Sequence, residues 1–136
     1  TSYLLEEARV VTHEKGERGY NIFYQLCAHK RRAGGQRSHT YRTVFDPKNL
    51  HYLSQGGNAK VEGIDDEQAY LRTENGLQSI GLTKPEMREV WRVLEGVIFL
   101  GNITFEPAAD GAKAVTVPPA AMPYVTLTAE RLGVEG

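Results

Sequence analysis

The segment that most constrains the fold runs from Thr83 to Gly101. Thr83 followed three residues later by Glu86 is a capping-box pattern for a helix start, and Gly101 favours a helix end. The apolar residues between them recur at three- and four-residue spacing, which places them on one face of a helix: Met87, Val90, Trp91, Leu94, Val97 and Ile98. A helix with such a face is stable only when that face is buried. We therefore predict an amphipathic helix packed against the rest of the chain.

Other helices are predicted from the same kinds of signal. The pairs Asp46–Pro47 and Asp65–Gln68 are typical of helix starts, because the carboxylate accepts hydrogen bonds from free backbone amides. Gly81 and Gly133 suit the left-handed conformation that ends many helices. The predicted helices cover about residues 17–29, 47–50, 65–80 and 124–132.

Strands and loops are predicted from β-branched residues, prolines and charge. Residues Thr1–Val11 are predicted as an opening strand and Ile103–Phe105 as a short one. The proline-rich segment 106–123 is predicted as a long irregular loop, with Val115–Val117 a possible strand inside it. The stretch His29–Thr43 is basic, holds no acidic residue and is predicted as an exposed loop. The expected fold class is mainly α with a few short β-strands (α+β), in one domain over residues 1–136.

Charge and cysteine usage narrow the classes of partner. The net charge of −1 gives no global reason to expect nucleic acid or an anionic membrane. No apolar run approaches the roughly 18 residues of a membrane span. Cys27 is the only cysteine, so an intrachain disulfide or a thiolate zinc cluster is excluded and a reducing cytoplasm is favoured. Its place on the apolar side of a predicted helix indicates an inert, buried thiol.

Catalytic and metal-binding constellations are not predicted. The four histidines, at positions 13, 29, 39 and 51, never fall four residues apart on a helix. Asp65, Asp66 and Glu67 favour capping of a helix start over cation binding. The glycine-containing turn Ser54–Asn58 is not followed by the Lys-Ser/Thr pair of a phosphate-binding loop. We therefore expect no catalytic residue and no metal ligand.

One tripeptide supports a rival hypothesis. Gly34, Gly35 and Gln36 resemble the GGQ motif of peptide-chain release factors, and the basic residues around them could contact RNA phosphates. The rest of the sequence shows no further release-factor feature. An RNA-directed hydrolase that uses Gln36 is therefore a distant third hypothesis, and nucleic acid is not an expected partner.

Five short sequence blocks carry a more specific resemblance. Ser2–Val11 (SYLLEEARVV) and Gly16–Leu26 (GERGYNIFYQL) resemble the myosin-head pattern SYLLEKSRVV…GERNYHIFYQL. Tyr52–Gly56 (YLSQG) and Gly63–Asp66 (GIDD) are similar to the family's YLNQSG and GVDD. Leu100–Phe105 (LGNITF) resembles HLGNIKF. The blocks occur in the family's order and spacing and together span nearly the whole chain, so the chain is identified as resembling a myosin motor domain.

The resemblance implies a position within a motor head of the P-loop NTPase type. It corresponds to an internal fragment that resembles the upper actin-binding subdomain. Residues 1–11 would form the last strand of the transducer sheet, and 17–105 would form upper-subdomain helices. Residues 106–123 would form a loop that approaches actin, and 124–136 would begin the helix of the next segment.

The resemblance also implies roles for particular residues. Arg9 matches the arginine of the strand motif, and Glu17 with Arg18 matches the Glu-Arg that starts the following helix. A plain surface or sheet-edge ion pair is the competing interpretation of these three. In the loop expected to face actin, the charged residues are Glu106, Asp110 and Lys113. A solvated loop with no partner is the competing interpretation there.

The nucleotide machinery of the family has no counterpart in this sequence. No GESGAGKT-like phosphate loop, NxNSSRFG-like first switch or DIxGFE-like second switch occurs in it. We therefore expect no ATPase activity and no bound cofactor from the segment alone, with ATP and Mg²⁺ bound elsewhere in the parent motor. The expected partners are the actin filament and the rest of the myosin head, in the cytoplasm and associated with the cytoskeleton.

The implied role is to couple the nucleotide-dependent twist of the transducer sheet to the actin-binding cleft. The alternative hypothesis is a stand-alone helical protein-interaction domain derived from the same fold.

Overall fold

The computed structural model describes residues 6–34, 39–109 and 114–135. Among them are seven α-helices, a 3₁₀ turn and one two-stranded antiparallel sheet, so the predicted fold class, mainly α with short strands, is confirmed. The elements are α1 (Ala8–Val11), α2 (Asn21–Ala33), α3 (His39–Val44), the 3₁₀ turn (Pro47–Asn49), α4 (His51–Ser54), α5 (Asp66–Ser79), α6 (Lys84–Leu100), β1 (Glu106–Pro107), β2 (Val115–Thr116) and α7 (Met122–Leu132).

Helix α6 forms as predicted, with a reciprocal cap at its start. The Thr83 hydroxyl accepts a hydrogen bond from the Glu86 amide at 3.4 Å, and Glu86 Oε2 accepts one from the Thr83 amide at 2.8 Å. Hydrogen bonds from the Thr83 backbone and hydroxyl lower the pKa of Glu86, because they stabilise its charged form. These contacts satisfy free amides at the helix start.

The core lies between α6 and the elements packed around it. Helix α2 packs on α5, and α7 packs on α6. Gly96 allows the close approach of α7, because a Cβ at this position would lie 2.5 Å from Leu132 Cδ2. The buried core residues come from α2, the turn region after α3, α4, α5 and α6: Phe23, Tyr24, Leu26, Cys27, Phe45, Leu50, Leu53, Tyr70, Trp91, Ile98 and Phe99.

Four predicted helix-end residues are confirmed. Asp46 accepts a hydrogen bond from the Lys48 amide, and Asp65 accepts hydrogen bonds from the amides at 67 and 68. Gly81 and Gly133 follow α5 and α7 with φ values of +102° and +69°. These are backbone conformations that residues with a Cβ rarely adopt.

The predicted opening strand is wrong over Ala8–Val11, which form one helical turn. Residues 1–5 lie outside the described part of the chain. The Thr12 amide donates to the Ala8 carbonyl at 2.9 Å, so this segment satisfies its backbone locally. A strand requires a neighbouring strand for its hydrogen bonds, and no strand in the described ranges pairs with these residues.

The predicted basic loop His29–Thr43 is also wrong over most of its length. Helix α2 starts at Asn21, later than predicted, and continues to Ala33, and α3 starts at His39. Lysine and arginine are good helix formers, and cations in the last turn of α2 complement the negative end of the helix dipole. Gly35 and Gln36 of the GGQ-like tripeptide lie outside the described residues.

The short strand after α6 is displaced from its predicted position. Ile103–Phe105 are not a strand; the amide of Ile103 donates to the carbonyl of Leu100 at 3.2 Å and extends the turn that ends α6. The strand is instead β1, which pairs with β2 in the register Glu106↔Thr116 and Pro107↔Val115. The possible strand at Val115 is confirmed over β2, so the predicted irregular loop contains a small hairpin.

Across the ranges the structure describes, no helix has both the length and the apolar character needed to cross a bilayer.

Candidate functional site

Arg18 lies in a buried contact between the segment before α2 and the start of α5. Its Nη2 is 2.5 Å from Asp66 Oδ2, and the side chains of Arg18 and Asp66 are only 9% and 17% exposed. The guanidinium carbon lies 3.9 Å from the centroid of the Tyr24 ring, a cation–π contact. Burial raises the pKa of Tyr24, so its phenol stays neutral and donates to the Leu53 carbonyl at 3.2 Å.

The ion pair between Arg18 and Asp66 is only partly satisfied. Within the described residues, Nε and Nη1 of Arg18 and Oδ1 of Asp66 are buried without a hydrogen-bond partner. Removing charges from water is costly unless each charge is well paired. The stability of this contact therefore depends strongly on the one short bond that the pair does form.

Arg9 and Glu17, the other two residues of the predicted motif, are exposed. Arg9 Nε is 3.4 Å from Glu6 Oε2, with both side chains more than half exposed, and its guanidinium carbon is 5.7 Å from the Tyr20 ring centroid. Glu17 Oε2 accepts a hydrogen bond from the Glu14 amide at 3.0 Å. An exposed ion pair such as that of Arg9 with Glu6 contributes about 0–1 kcal/mol to stability. The structure therefore distinguishes Arg18 from its two companions.

The predicted actin-facing residues are only partly within the described chain. Glu106 lies in β1, is exposed and pairs with Thr116 across the hairpin. Asp110 and Lys113 lie outside the described residues. Phe105 and Val115 are 66% and 70% exposed, so the hairpin presents large apolar side chains to solvent beside its carboxylate.

A second buried charge cluster joins α2, α6 and α7. Glu95 on α6 is 4% exposed; its Oε1 lies 2.5 Å from Lys30 Nζ on α2, and its Oε2 lies 2.6 Å from Arg131 Nε on α7. Burial works against the charge of Arg131, yet the carboxylates of Glu95 and Glu130 outweigh it and raise the pKa of Arg131. The cluster thus holds its charges in place on three separate helices.

A cleft with a volume of about 440 Å³ borders this cluster. On its wall, the rings of His29 and Tyr70 stack with centroids 3.9 Å apart and planes at 6°. Burial lowers the pKa of His29, which favours the neutral imidazole. The Tyr70 hydroxyl donates to Glu74 at 2.9 Å. In the ranges 6–34, 39–109 and 114–135, no group of three or more His, Cys, Asp or Glu side chains is placed to hold a metal ion.

Comparison with known proteins identifies the family. All of residues 1–136 match the family model described as myosin head (motor domain). The chain belongs to the myosin head family. It is 38% identical to myosin heavy chain IB of Acanthamoeba castellanii over 115 residues, which are 85% of this chain and 10% of that protein. Myosin IC heavy chain of Dictyostelium discoideum is 33% identical over 126 residues, covering 93% of this chain and 10% of that protein. Unconventional myosin-Va of Rattus norvegicus is 32% identical over 124 residues, covering 91% of this chain and 6% of that protein.

The predicted family is therefore confirmed. The chain spans about a tenth of the length of the Acanthamoeba and Dictyostelium heavy chains that it matches. It corresponds to one segment of a myosin motor domain.

The buried charges of this myosin segment are not all predicted from sequence. Sequence patterns indicate only a capping role for Asp66, and they place Lys30 in an exposed loop. They do not single out Glu95, although it follows Trp91 by four residues and therefore lies on the apolar face of α6. A carboxylate at such a position is the sequence signal that could have indicated a buried ion pair.

Cys27 of the myosin segment should be chemically protected while the chain is folded. Burial raises the pKa of its thiol to about 12. Because the thiolate is the reactive form, iodoacetamide at pH 8 should label native Cys27 at least about 100-fold more slowly than the urea-unfolded chain. Mass spectrometry of the time course measures both rates, with Cys27→Ala as the unlabelled control. Equal rates in the native and unfolded chains would show that the thiol is accessible.

Proposed function

We propose that this segment is part of an actin-based, ATP-driven motor and that it couples the nucleotide state to the actin-binding cleft. The observation that carries the proposal is the match to the myosin head over the whole chain. In such a motor the segment would contact the rest of the head through its helices and actin through its exposed hairpin. The motor would work in the cytoplasm, in association with the actin cytoskeleton.

The order of the elements supports an assignment of parts. Residues 1–11 would border the transducer sheet, and the helices up to residue 105 would form the upper actin-binding subdomain. Residues 106–123, which include the hairpin, would face actin through Glu106, Asp110 and Lys113. Residues 124–136, which contain most of α7, would lead into the next part of the head. Arg9, Glu17 and Arg18 would lie on the path between sheet and helices, with Arg18 the buried contact.

The segment alone would not hydrolyse ATP under this proposal. Phosphoryl transfer depends on groups that position the phosphates and Mg²⁺, and the sequence contains no phosphate loop and neither switch. ATP and Mg²⁺ would bind to other parts of the motor. The purified 136-residue chain is expected to release no phosphate from ATP above the buffer background, with or without actin filaments.

The transcript that carries this segment tests the proposal directly. We expect a phosphate loop and a first switch in frame upstream, and a second switch in frame downstream. The expressed motor should then show an ATPase rate that rises with actin concentration. Stop codons close on both sides would instead support the stand-alone interaction domain.

Phe105→Ala should weaken the binding of this motor to actin filaments. The Phe105 side chain is 66% exposed at the base of the hairpin, and an aromatic residue buried in an interface commonly contributes about 1–2 kcal/mol. Co-sedimentation with actin filaments should therefore show an affinity lower by roughly 5- to 30-fold.

Ile80→Ala is the matched control for Phe105→Ala. Ile80 is 75% exposed but follows α5 rather than the hairpin, so its removal should leave actin affinity unchanged. If Phe105→Ala binds actin as tightly as the unaltered motor, the hairpin is not the actin-facing surface.

A further inference from the structure

Glu95 joins two helices that lead to different ends of the segment. Helix α2 follows the N-terminal region that contains Arg18, and α7 follows the exposed hairpin. Lys30 comes from the last turn of α2, and Arg131 comes from the last turn of α7. The carboxylate of Glu95 is bonded to both.

The geometry makes the two bonds dependent on each other. Lys30 Nζ contacts Oε1 at 2.5 Å and Arg131 Nε contacts Oε2 at 2.6 Å, so each cation occupies a different oxygen of one rigid carboxylate. The Glu95 side chain is 4% exposed, which limits both its screening by water and its freedom to move. A shift of one cation therefore rotates or displaces the acceptor of the other.

The packing beside Glu95 gives α7 little freedom to shift separately. The neighbouring Gly96 lies directly against Leu132, where even a Cβ would come within 2.5 Å of that side chain. Nearer the start of α7, Tyr124 and Leu127 pack against the hydrophobic core. Since packed helices move as units, a displacement at the Arg131 end reaches the hairpin end of the same helix.

We infer that Glu95 is a positioning residue that transmits displacement between α2 and α7, with Lys30 and Arg131 as its two contacts. The inference rests on the proposed function, because it names a contact through which the sheet side and the actin side of the segment are coupled. Coupling of this kind is a measurable property of a pair of sites.

Hydrogen exchange on the 136-residue chain tests the contact itself. Lys30→Met removes the cation on α2 and keeps most of the side-chain length. We expect the amides of residues 128–132, at the far end of α7, to lose about tenfold in protection. Lys30→Arg keeps the positive charge that pairs with Glu95, so protection should stay near the original value.

Arg92→Met is the matched control for this exchange experiment. Arg92 lines the same cleft but is bonded to Glu89 rather than Glu95, so its removal should leave α7 unchanged. In addition, Lys30→Met and Arg131→Met should have non-additive effects on protection in the double variant. Additive effects, or an unchanged α7 in Lys30→Met, would overturn the inference.

The ATPase of the motor that contains this segment separates coupling from simple stability. In Lys30→Met the ratio of actin-activated to basal ATPase rates should fall by about fivefold or more, and in Lys30→Arg it should recover. If the unaltered motor shows normal actin activation and Lys30→Met leaves the ratio of actin-activated to basal rates unchanged, the inference about Glu95 is contradicted while the proposed function stands. An unaltered protein without actin-activated ATPase would contradict the proposed function, and the exchange experiment would then decide whether Glu95 links the two helices.

Discussion

Gly56→Ala is expected to lower the free energy of unfolding by about 3 kcal/mol, the upper range for overpacking a buried site. A Cβ at Gly56 would lie 1.8 Å from the carbonyl oxygen of Glu17, 2.8 Å from its carbonyl carbon and 3.0 Å from the Glu14 oxygen. These are backbone atoms, so no side-chain rotation relieves the clash. The Gly56 carbonyl also accepts a hydrogen bond from the Gly16 amide at 2.8 Å. The substitution should therefore move the segment that carries Arg18.

Urea unfolding followed by the fluorescence of Trp91, the only tryptophan of the chain, measures this effect. Gly76→Ala is the control, because Gly76 lies inside α5 and a Cβ added there would meet no atom within 4 Å beyond its chain neighbours and the backbone of α5 itself. Alanine there should raise stability by about 0.5–1 kcal/mol, the difference in helix propensity. A Gly56→Ala chain as stable as the original would show that the contact between this turn and the Glu14–Glu17 segment is looser than the structure indicates.

Arg18→Met should also destabilise the chain, by about 3 kcal/mol, because it leaves the Asp66 carboxylate buried without its cation. Both side chains are more than four-fifths buried, so solvent screening is limited. The loss of the cation–π contact with Tyr24 adds to the effect. The same urea experiment provides the measurement.

The double variant Arg18→Met/Asp66→Leu distinguishes a charge effect from a packing effect. Because an apolar pair has no unpaired charge, it should be more stable than Arg18→Met alone by about 1–2 kcal/mol. Arg9→Met serves as the exposed control, with an expected change within about 0.5 kcal/mol. If the double variant is no more stable than Arg18→Met, the buried charge of Asp66 is not the cause of the loss.

Local sequence signals predicted the helices well wherever the ends were marked. The Thr83–Glu86 cap, Asp65, Gly81 and Gly133 all act within a few residues of the element they end, so their geometry is readable from order along the chain. The prediction of a strand over Thr1–Val11 is wrong at Ala8–Val11 for the opposite reason. A strand depends on distant neighbours, and this short segment instead forms its hydrogen bonds locally.

In the candidate site, too, some features are predicted from the sequence and others are seen only in the folded chain. The myosin-like motif predicts roles for Arg9, Glu17 and Arg18 together. Only the folded chain shows that Arg18 is buried against Asp66 while the other two are exposed. Lys30 appears in sequence as one cation of a basic run. Its contact with Glu95 exists because α2 and α6 pack against each other, which neither residue's neighbours in the sequence indicate.

The sequence by itself determined the family, the predominance of helix and those helix ends that a capping residue or a glycine marks, because motif order, apolar periodicity and capping residues are properties of the linear chain. Only the tertiary structure decided which charges are buried and which helices they join. Such pairs connect residues 48 positions apart, as for Arg18 and Asp66, or 36 apart, as for Glu95 and Arg131. Their energies depend on burial and short distances, which arise only when the helices pack.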